Sequence, residues 1–300
     1  MKNKSLYKNV INAVISLVAA VLFLITFVES SFIPSWREIF GIYESVDNQA
    51  EIISFIDVGQ GDAVLIQSNG RFALIDTGES DSNIVRTLKR KGIKGFDAVI
   101  LSHFHSDHCD AFYNIANSFI IENAVLPKPS GTDESAVEYS KDITSLCDKK
   151  SIKTHNAKQG MVITVGEINL TVLYCDTTSK EENNRSLIVM AEYKDNRFLF
   201  TGDAEENIEE KLLSSNIDID CDVLKAGHHG SSTSNTVEFL KKCSPEHIVI
   251  SVGKNNSYGH PHREVLDNFY YVGANIYRTD YDGTVEFNLK DEGTVITTQY

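Results

Sequence analysis

Residues 102–108 read Ser102-His103-Phe104-His105-Ser106-Asp107-His108. They follow the apolar run Ala98–Leu101, so they stand where a strand ends and a loop begins. Four metal-ligating side chains within six residues are expensive to desolvate together unless a cation compensates them. His103 and His105, two residues apart, can converge on one ion, and Asp107 and His108 can turn toward a second. A solvated loop that happens to be rich in histidine is the plain alternative, and the apolar strand before it argues against that.

Two further strand ends carry the same chemistry. Phe198-Leu199-Phe200 runs into Thr201-Gly202-Asp203, and Val223-Leu224-Lys225-Ala226-Gly227 runs into His228-His229-Gly230-Ser231. An aspartate after a strand commonly caps a helix, and Asp203 precedes the helical stretch 204–215. Beside the histidine-rich segment, however, Asp203 can bridge two cations and His228 or His229 can complete the second site. Seven of the nine histidines fall into three short clusters, the third being His260 and His262.

Around these motifs, short β-rich runs alternate with helical stretches from residue 51 onward. Strand candidates include Ile52–Asp57, Phe72–Asp76, Ala98–Ser102, Met161–Val165, Ser186–Ala191, Phe198–Thr201, Val223–Ala226 and His247–Ser251. Helices are expected at 81–91, 135–150, 204–215, 234–243 and 262–271, with Pro127–Asp133 as a surface loop. Many short strands with a few helices indicate stacked sheets with helices outside. At 300 residues, 42% apolar and 23% charged, the chain has the balance of a folded globular protein. The five cysteines contain no CxxC pair, which excludes a cysteine zinc finger and makes buried thiols the default.

The N-terminus reads differently. Val10–Val28 is apolar and uncharged, preceded by Lys2, Lys4 and Lys8. That pattern predicts a membrane-anchoring helix within residues 1–40, with Pro34, Trp36 and Phe40 at the interface and residues 41–300 outside the cytoplasm. Signal-peptide cleavage and secretion is the alternative. The whole chain has 28 Lys and Arg against 42 Asp and Glu, a net charge of -14. Without Lys2, Lys4, Lys8, Arg37, Glu29 and Glu38 the remainder is at -16, the opposite of a broad basic surface for nucleic acid.

Asp76-Thr77-Gly78, His103–His108, Thr201-Gly202-Asp203 and His228-His229-Gly230-Ser231, in this order, resemble the metallo-β-lactamase superfamily. Phe55–Ala63, Asn183–Leu187, Val223–Ser234 and Tyr258-Gly259-His260-Pro261 are similar, more narrowly, to the hydrolase domain of the ComEC competence proteins. The resemblance implies an α+β, four-layer αββα sandwich with a dinuclear metal site at its edge. ComEC proteins carry a long polytopic channel, so the expectation here is a freestanding relative with one anchor. Cys109-Asp110-Ala111 also replaces the Gly-Gly that commonly follows the motif histidine.

The resemblance implies roles residue by residue. His103 and His105 hold the first ion, Asp203 bridges, and Asp107, His108 and one of His228 and His229 hold the second. His229 is favoured for coordination and His228 for substrate contact. The superfamily often adds a third histidine on the first ion, but only His155 lies in that interval and it reads as a surface residue. Asn183 or Asn184 stands there instead. Asp76 is expected behind a liganding histidine, fixing its tautomer. Asp107 and His260 join the catalytic set, and Ser231, Ser232 and Lys225 are expected at the substrate. Asp57, Gln60 and Asp62 receive no role.

These assignments imply two divalent cations, zinc favoured and manganese the alternative, and hydrolysis with a metal-bound hydroxide as nucleophile. A phosphodiester, DNA or RNA included, is the first expected substrate. A phosphorylcholine or other small ester or lactone is the second, and a non-catalytic metal-binding sensor the third. No protein partner is expected.

Overall fold

The computed structural model describes residues 2–27, 40, 47–291 and 293–300. The β-branched and aromatic runs form two sheets. One runs β15 (Gly293–Thr298), β14 (Val285–Lys290), β1 (Ile52–Phe55), β2 (Val64–Ser68), β3 (Arg71–Ile75), β4 (Gly95–Ile100), β5 (Ile120–Leu126) and β6 (Lys153–Asn156). The other runs β13 (Asn275–Arg278), β12 (His247–Ile250), β11 (Val223–Lys225), β10 (Asn196–Phe200), β9 (Ile188–Tyr193), β8 (Ile168–Tyr174) and β7 (Val162–Val165).

Side-chain alternation divides the second sheet between two cores. Leu187, Val189, Ala191, Phe198 and Phe200 face the first sheet, whereas Ile188, Met190 and Leu199 face helices. Phe55, Phe198, Phe200 and Phe287 meet between the sheets, with ring centroids 5.3 to 5.9 Å apart. On the helical side, α6 (Glu206–Leu213), α7 (Val237–Cys243) and α8 (Arg263–Val272) bury Ile208, Leu212, Phe239, Leu240, Val265 and Phe269. Val265 and Phe269, four apart, share one helix face. Beside the first sheet, α4 (Phe112–Ser118) and α5 (Glu134–Lys150) pack together, α5 also against β6. The chain is thus an α+β protein with two stacked sheets and helices outside.

The remaining helices are α1 (Lys2–Phe27), α2 (Ile84–Arg90), α3 (Ser106–Cys109) and α9 (Thr279–Asp282). Three short helices, α3, α4 and α9, were not expected, and neither was β6. Its sequence, Lys-Thr-His-Asn, is polar because it is an edge strand with little to bury. At α7 the cap is Thr236, whose hydroxyl accepts from Phe239 N, rather than the helix starting at Ser234.

Two compact units are distinguished, Met1–Val46 with Arg86–Gly92, and Asp47–Val85 with Ile93–Tyr300. In the first, α1 covers the apolar N-terminal run. Among the described residues no helix is long and apolar enough to cross a membrane, so the structure lends the anchor no support. Pro34, Trp36 and the stretch just after Phe27 lie outside the described residues.

Parallel pairing positions the site. β3, β4 and β5 are parallel in one sheet, and β10 to β13 in the other. The C-terminal ends of β3, β4, β10, β11 and β12 carry Asp76, His103–His108, Asp203, His228-His229 and Ser251 respectively. The histidine and carboxylate motifs therefore meet at one edge of the sandwich.

Candidate metal centre

Asp107, His108, Asp203 and His229 bring one donor atom each to within 4.8 Å of one another. His108, Asp203 and His229 are buried, and His108 Nε2, Asp203 Oδ1 and His229 Nε2 have no hydrogen-bond partner. His108 Nε2 lies 3.1 Å and His229 Nε2 3.6 Å from Asp203 Oδ1, with Asp107 Oδ2 3.2 Å from His229 Nε2. Buried polar atoms normally have partners. A convergent set of orphaned imidazole nitrogens and carboxylate oxygens is the donor chemistry of a divalent cation, so these residues fit one.

The backbone aims them. His228 and His229 have positive φ, 49° and 52°, a costly conformation for non-glycine residues held here by Asn235, which bridges Gly227 N and O. Gly202, before Asp203, has φ +52°, and a Cβ there would fall 2.8 Å from Ser186 Oγ and 3.0 Å from Ser102 Cβ. Gly61 presses on the site from the β1–β2 loop, where a Cβ would lie 2.2 Å from the Asp107 carbonyl oxygen. Only glycine fits either position.

Behind the donors, each tautomer is set. His108 Nδ1 shares a hydrogen with Asp76 Oδ2 at 2.9 Å, and Ser102 N and Oγ donate to the same carboxylate at 2.6 and 2.7 Å. His229 Nδ1 donates to the Ser251 carbonyl at 2.9 Å. Both Nε2 atoms are thereby left free toward the cluster. Thr77 N and Oγ1 hold the His108 carbonyl, which gives the Asp-Thr-Gly segment its local task.

The first-ion set is looser. His103 Nε2 stands 3.0 Å from His105 Nδ1 and 4.0 Å from Asp203 Oδ2, the oxygen opposite the one facing His108 and His229. Asp203 thus presents one oxygen to each group. His228 Nε2 is 3.6 Å from that same Oδ2, with its Nδ1 tied to Thr233 Oγ1 at 2.9 Å. Asn184 is committed to Glu205 in both directions at 3.0 Å, so it is no ligand. Asn183 Oδ1 is buried, unpartnered, and lines the cavity at the site. His155 sits on β6, bonded to Asn123 and away from the site.

The electrostatics follow the carboxylates. Burial pulls the imidazoles down, but Asp203, Asp107 and Asp76 outweigh it at His108, and Asp203, Asp62 and Asp107 at His229. His108 is held well above its ordinary value and His229 is pushed up to about 10. Burial would raise Asp203, but the His108 and His229 imidazoles hold it well below the usual carboxylate range. A field that retains protons this strongly also favours a divalent cation.

Before the cluster lies a cavity of about 500 Å³, lined on one side by Asp107, Asp203, His228 and His229 and on the other by Asp133, Tyr139, Tyr258 and His260. Among the described residues no Lys or Arg lines it. His260 Nδ1 is unpartnered, and burial, with His228 and His229 nearby, lowers its pKa to about 4. Three substrate expectations are corrected. Lys225 is buried and paired with Asp62. Ser231 is buried, its Oγ accepting from Thr233, and Ser232 N donates to His262 Nδ1 on a neighbouring surface. None of the three lines this cavity.

Asp133 was overlooked as the end of a surface loop. It stands 3.5 Å from His105 Nε2 and also caps α5 through Ala136 N. Buried Glu182 clamps the loop, accepting from Phe104 N and Ser130 N. Asp62, left without a role, lies behind both buried imidazoles. Its place directly after Gly59-Gln60-Gly61 and before the apolar run Ala63–Ile66 was the available signal.

Residues 56–129 match the model of the metallo-beta-lactamase superfamily. With the fold and the clustered donors, this match supports a metal-dependent hydrolase similar to members of that superfamily. The chain is 29% identical over 275 residues to ComE operon protein 3 of Bacillus subtilis (strain 168), covering 83% of this chain and 34% of that protein. It is 28% identical over 250 residues to Competence protein ComA of Neisseria gonorrhoeae, covering 82% and 33%. The chain therefore spans about a third of the length of these curated relatives. Among solved structures, the metallo-beta-lactamase fold protein YhfI from Bacillus subtilis matches with TM-score 0.53 and 14% identity, over 79% of this chain and 99% of that one. At that identity the likeness concerns the fold.

Proposed function

We propose that the chain hydrolyses a phosphodiester in the cavity before Asp203, using divalent cations held by Asp107, His108, Asp203 and His229 and, on the other side of Asp203, by His103 and His105. The observation that carries this reading is the convergence of unpartnered buried donors, His108 Nε2, Asp203 Oδ1 and His229 Nε2, of which Asp203 and His229 also line the cavity. Zinc suits the imidazole-rich set, with manganese as the alternative. When bound, such cations supply Lewis acidity, lowering the pKa of water and polarising the electrophilic oxygen.

The protein's own part is positional. Asp76 and the Ser251 carbonyl keep two imidazoles in the ligating tautomer. His260, neutral near pH 7, offers its free Nδ1 to the leaving group, and Thr233 orients His228 with Nε2 toward the reacting centre. Tyr258 stacks on His260 at 5.6 Å and holds its ring at the cavity wall.

The lining favours a small substrate over a polynucleotide. Asp107, Asp133 and Asp203 line the cavity, and among the described residues no Lys or Arg there meets neighbouring phosphates. This supports a second reading, a phosphorylcholine or other small ester, at the same site. Full-length protein assayed with zinc or manganese on bis(p-nitrophenyl) phosphate, p-nitrophenyl phosphorylcholine, p-nitrophenyl acetate and DNA separates them. Cleavage of the first supports phosphodiester chemistry, whereas acetate alone would replace it with simple ester hydrolysis. Metal binding without any turnover would favour a sensor. The anchor and the extracytoplasmic placement are likewise proposals, resting on the apolar run Val10–Val28 after three lysines. Recovery in the soluble fraction of uncleaved protein would sink them.

A further inference from the structure

Lys225 is the cation that the substrate does not reach. It is 1% exposed, and its Nζ lies 2.8 Å from Asp62 Oδ2 and donates to the Ala226 carbonyl at 2.7 Å. Asp62 is 3% exposed and sits behind both buried imidazoles. Its Oδ1 is 3.4 Å from His229 Nδ1 and its Oδ2 3.9 Å from His108 Nδ1. Asp62, Asp76 and His108 form a second group of donors close enough to share a cation. Here the cation is already part of the chain. A void of about 10 Å³, the size of one water, is lined by Asp62, Asp76, Ser102 and Lys225. It leaves no room for a substrate group.

Resting on the metal-centre reading above, we propose that Lys225 and Asp62 are positioning residues, an internal ion pair that sets how tightly the His108–His229 side of the centre holds its ion. The electrostatic argument has two halves. The Nδ1 hydrogens go to Asp76 and the Ser251 carbonyl, so Asp62, 3.4 and 3.9 Å behind the two rings, acts on both ligands through its buried charge. Asp62 and Asp76 would, unbalanced, place two buried anions against one another. Lys225 offsets one of them without entering the metal's coordination sphere. Removing either partner alone strands a buried charge beside the ligands, and removing both strands none.

The test is a double-mutant cycle on the full-length protein, read as zinc affinity by competition with a chromophoric chelator, with KM on bis(p-nitrophenyl) phosphate as a second readout. Asp62→Asn, which keeps the shape, is expected to weaken one bound zinc equivalent by about 10–100-fold, the range for such outer partners. Lys225→Met should weaken the same equivalent by about 10-fold. The double variant should bind more tightly than the product of the two losses predicts. KM should stay within about 2-fold, because neither group meets substrate. Multiplicative losses would overturn the pairing, and unchanged zinc affinity with a raised KM would return Lys225 to the substrate. If Lys225→Met does not accumulate as folded protein, Asp62→Asn decides alone: undiminished zinc affinity there overturns the proposal. Wild-type protein that bound no zinc or manganese would instead defeat the metal-centre reading itself.

Discussion

His108 and His229 are sealed from solvent, each with Nδ1 committed to a protein acceptor. His105 and His228 stand at the cavity wall with side chains 34% and 21% exposed. The partner of His105, Asp133, is itself 30% exposed and 3.5 Å away. One motif thus feeds two positions of unequal definition on either side of Asp203. The buried side is built as a fixed receptor, its ring orientations set by Asp76 and the Ser251 carbonyl before any ion arrives. The open side shares its space with the cavity, so its residues can serve an ion, a substrate, or both in turn. Pre-organisation is greatest where solvent is excluded, because there an unmatched charge is most expensive.

Among the described residues Asp203 alone faces both sides, and its removal should produce the largest effect. Asp203→Ala is expected to lower activity by about 10³-fold or more, since metal ions supply several kcal/mol of charge stabilisation. Metal analysis should show both equivalents weakened. Loss confined to one equivalent would mean that the two sides do not meet at this carboxylate.

The two adjacent histidines give the next contrast. His229→Ala should abolish tight binding of one metal equivalent, whereas His228→Ala should leave metal content intact and lower kcat by about 10²-fold, the range for a positioned proton-transfer group. Equal loss of metal in the two variants would break the contrast, placing His228 among the ligands of the open side.

Much of the donor set was legible in the sequence. Residue type and strand-end placement brought forward His103, His105, Asp107, His108, Asp203 and one of His228 and His229 as candidate donors, because a ligand cluster after a strand is a local pattern. The choice of His229, and Asp76 as an outer partner, came from the resemblance. The failures concern long-range placement. Lys225 looked like a substrate contact because a lysine inside a motif is usually solvated, yet β11 is flanked by β10 and β12 and buries it. Ser231 and Ser232 carried no local sign of which neighbour they would face. Asp133 and Glu182 reach the site through loops, where periodicity says nothing about direction. The stacked sheets with helices outside were legible as a class, whereas the strand order is set by long-range pairing, and β6 and the short helices were too polar or too brief to register.

A smaller effect should appear on the open side through the loop that carries Asn183. Asp176, at the start of that loop, accepts from Thr178 N and Oγ1 and from Ser179 N, and pairs with Lys211 on α6. Burial alone would raise its pKa, but Lys211 and the Thr178 and Ser179 donors hold it well below the ordinary carboxylate range. A depressed folded-state pKa means the bound, ionised form stabilises the loop above the unfolded value, roughly pH 4. That contribution should fade as pH falls through the depressed value. Hydrogen exchange on the full-length protein should therefore show protection of residues 176–182 near neutral pH and its loss in acid. Asp176→Asn should lack the protection at every pH, while the segments around His108 and His229 keep theirs. If the variant loosened those buried segments equally, the two sides would be one cooperative unit, and the contrast between a fixed receptor and an adaptable wall would not hold.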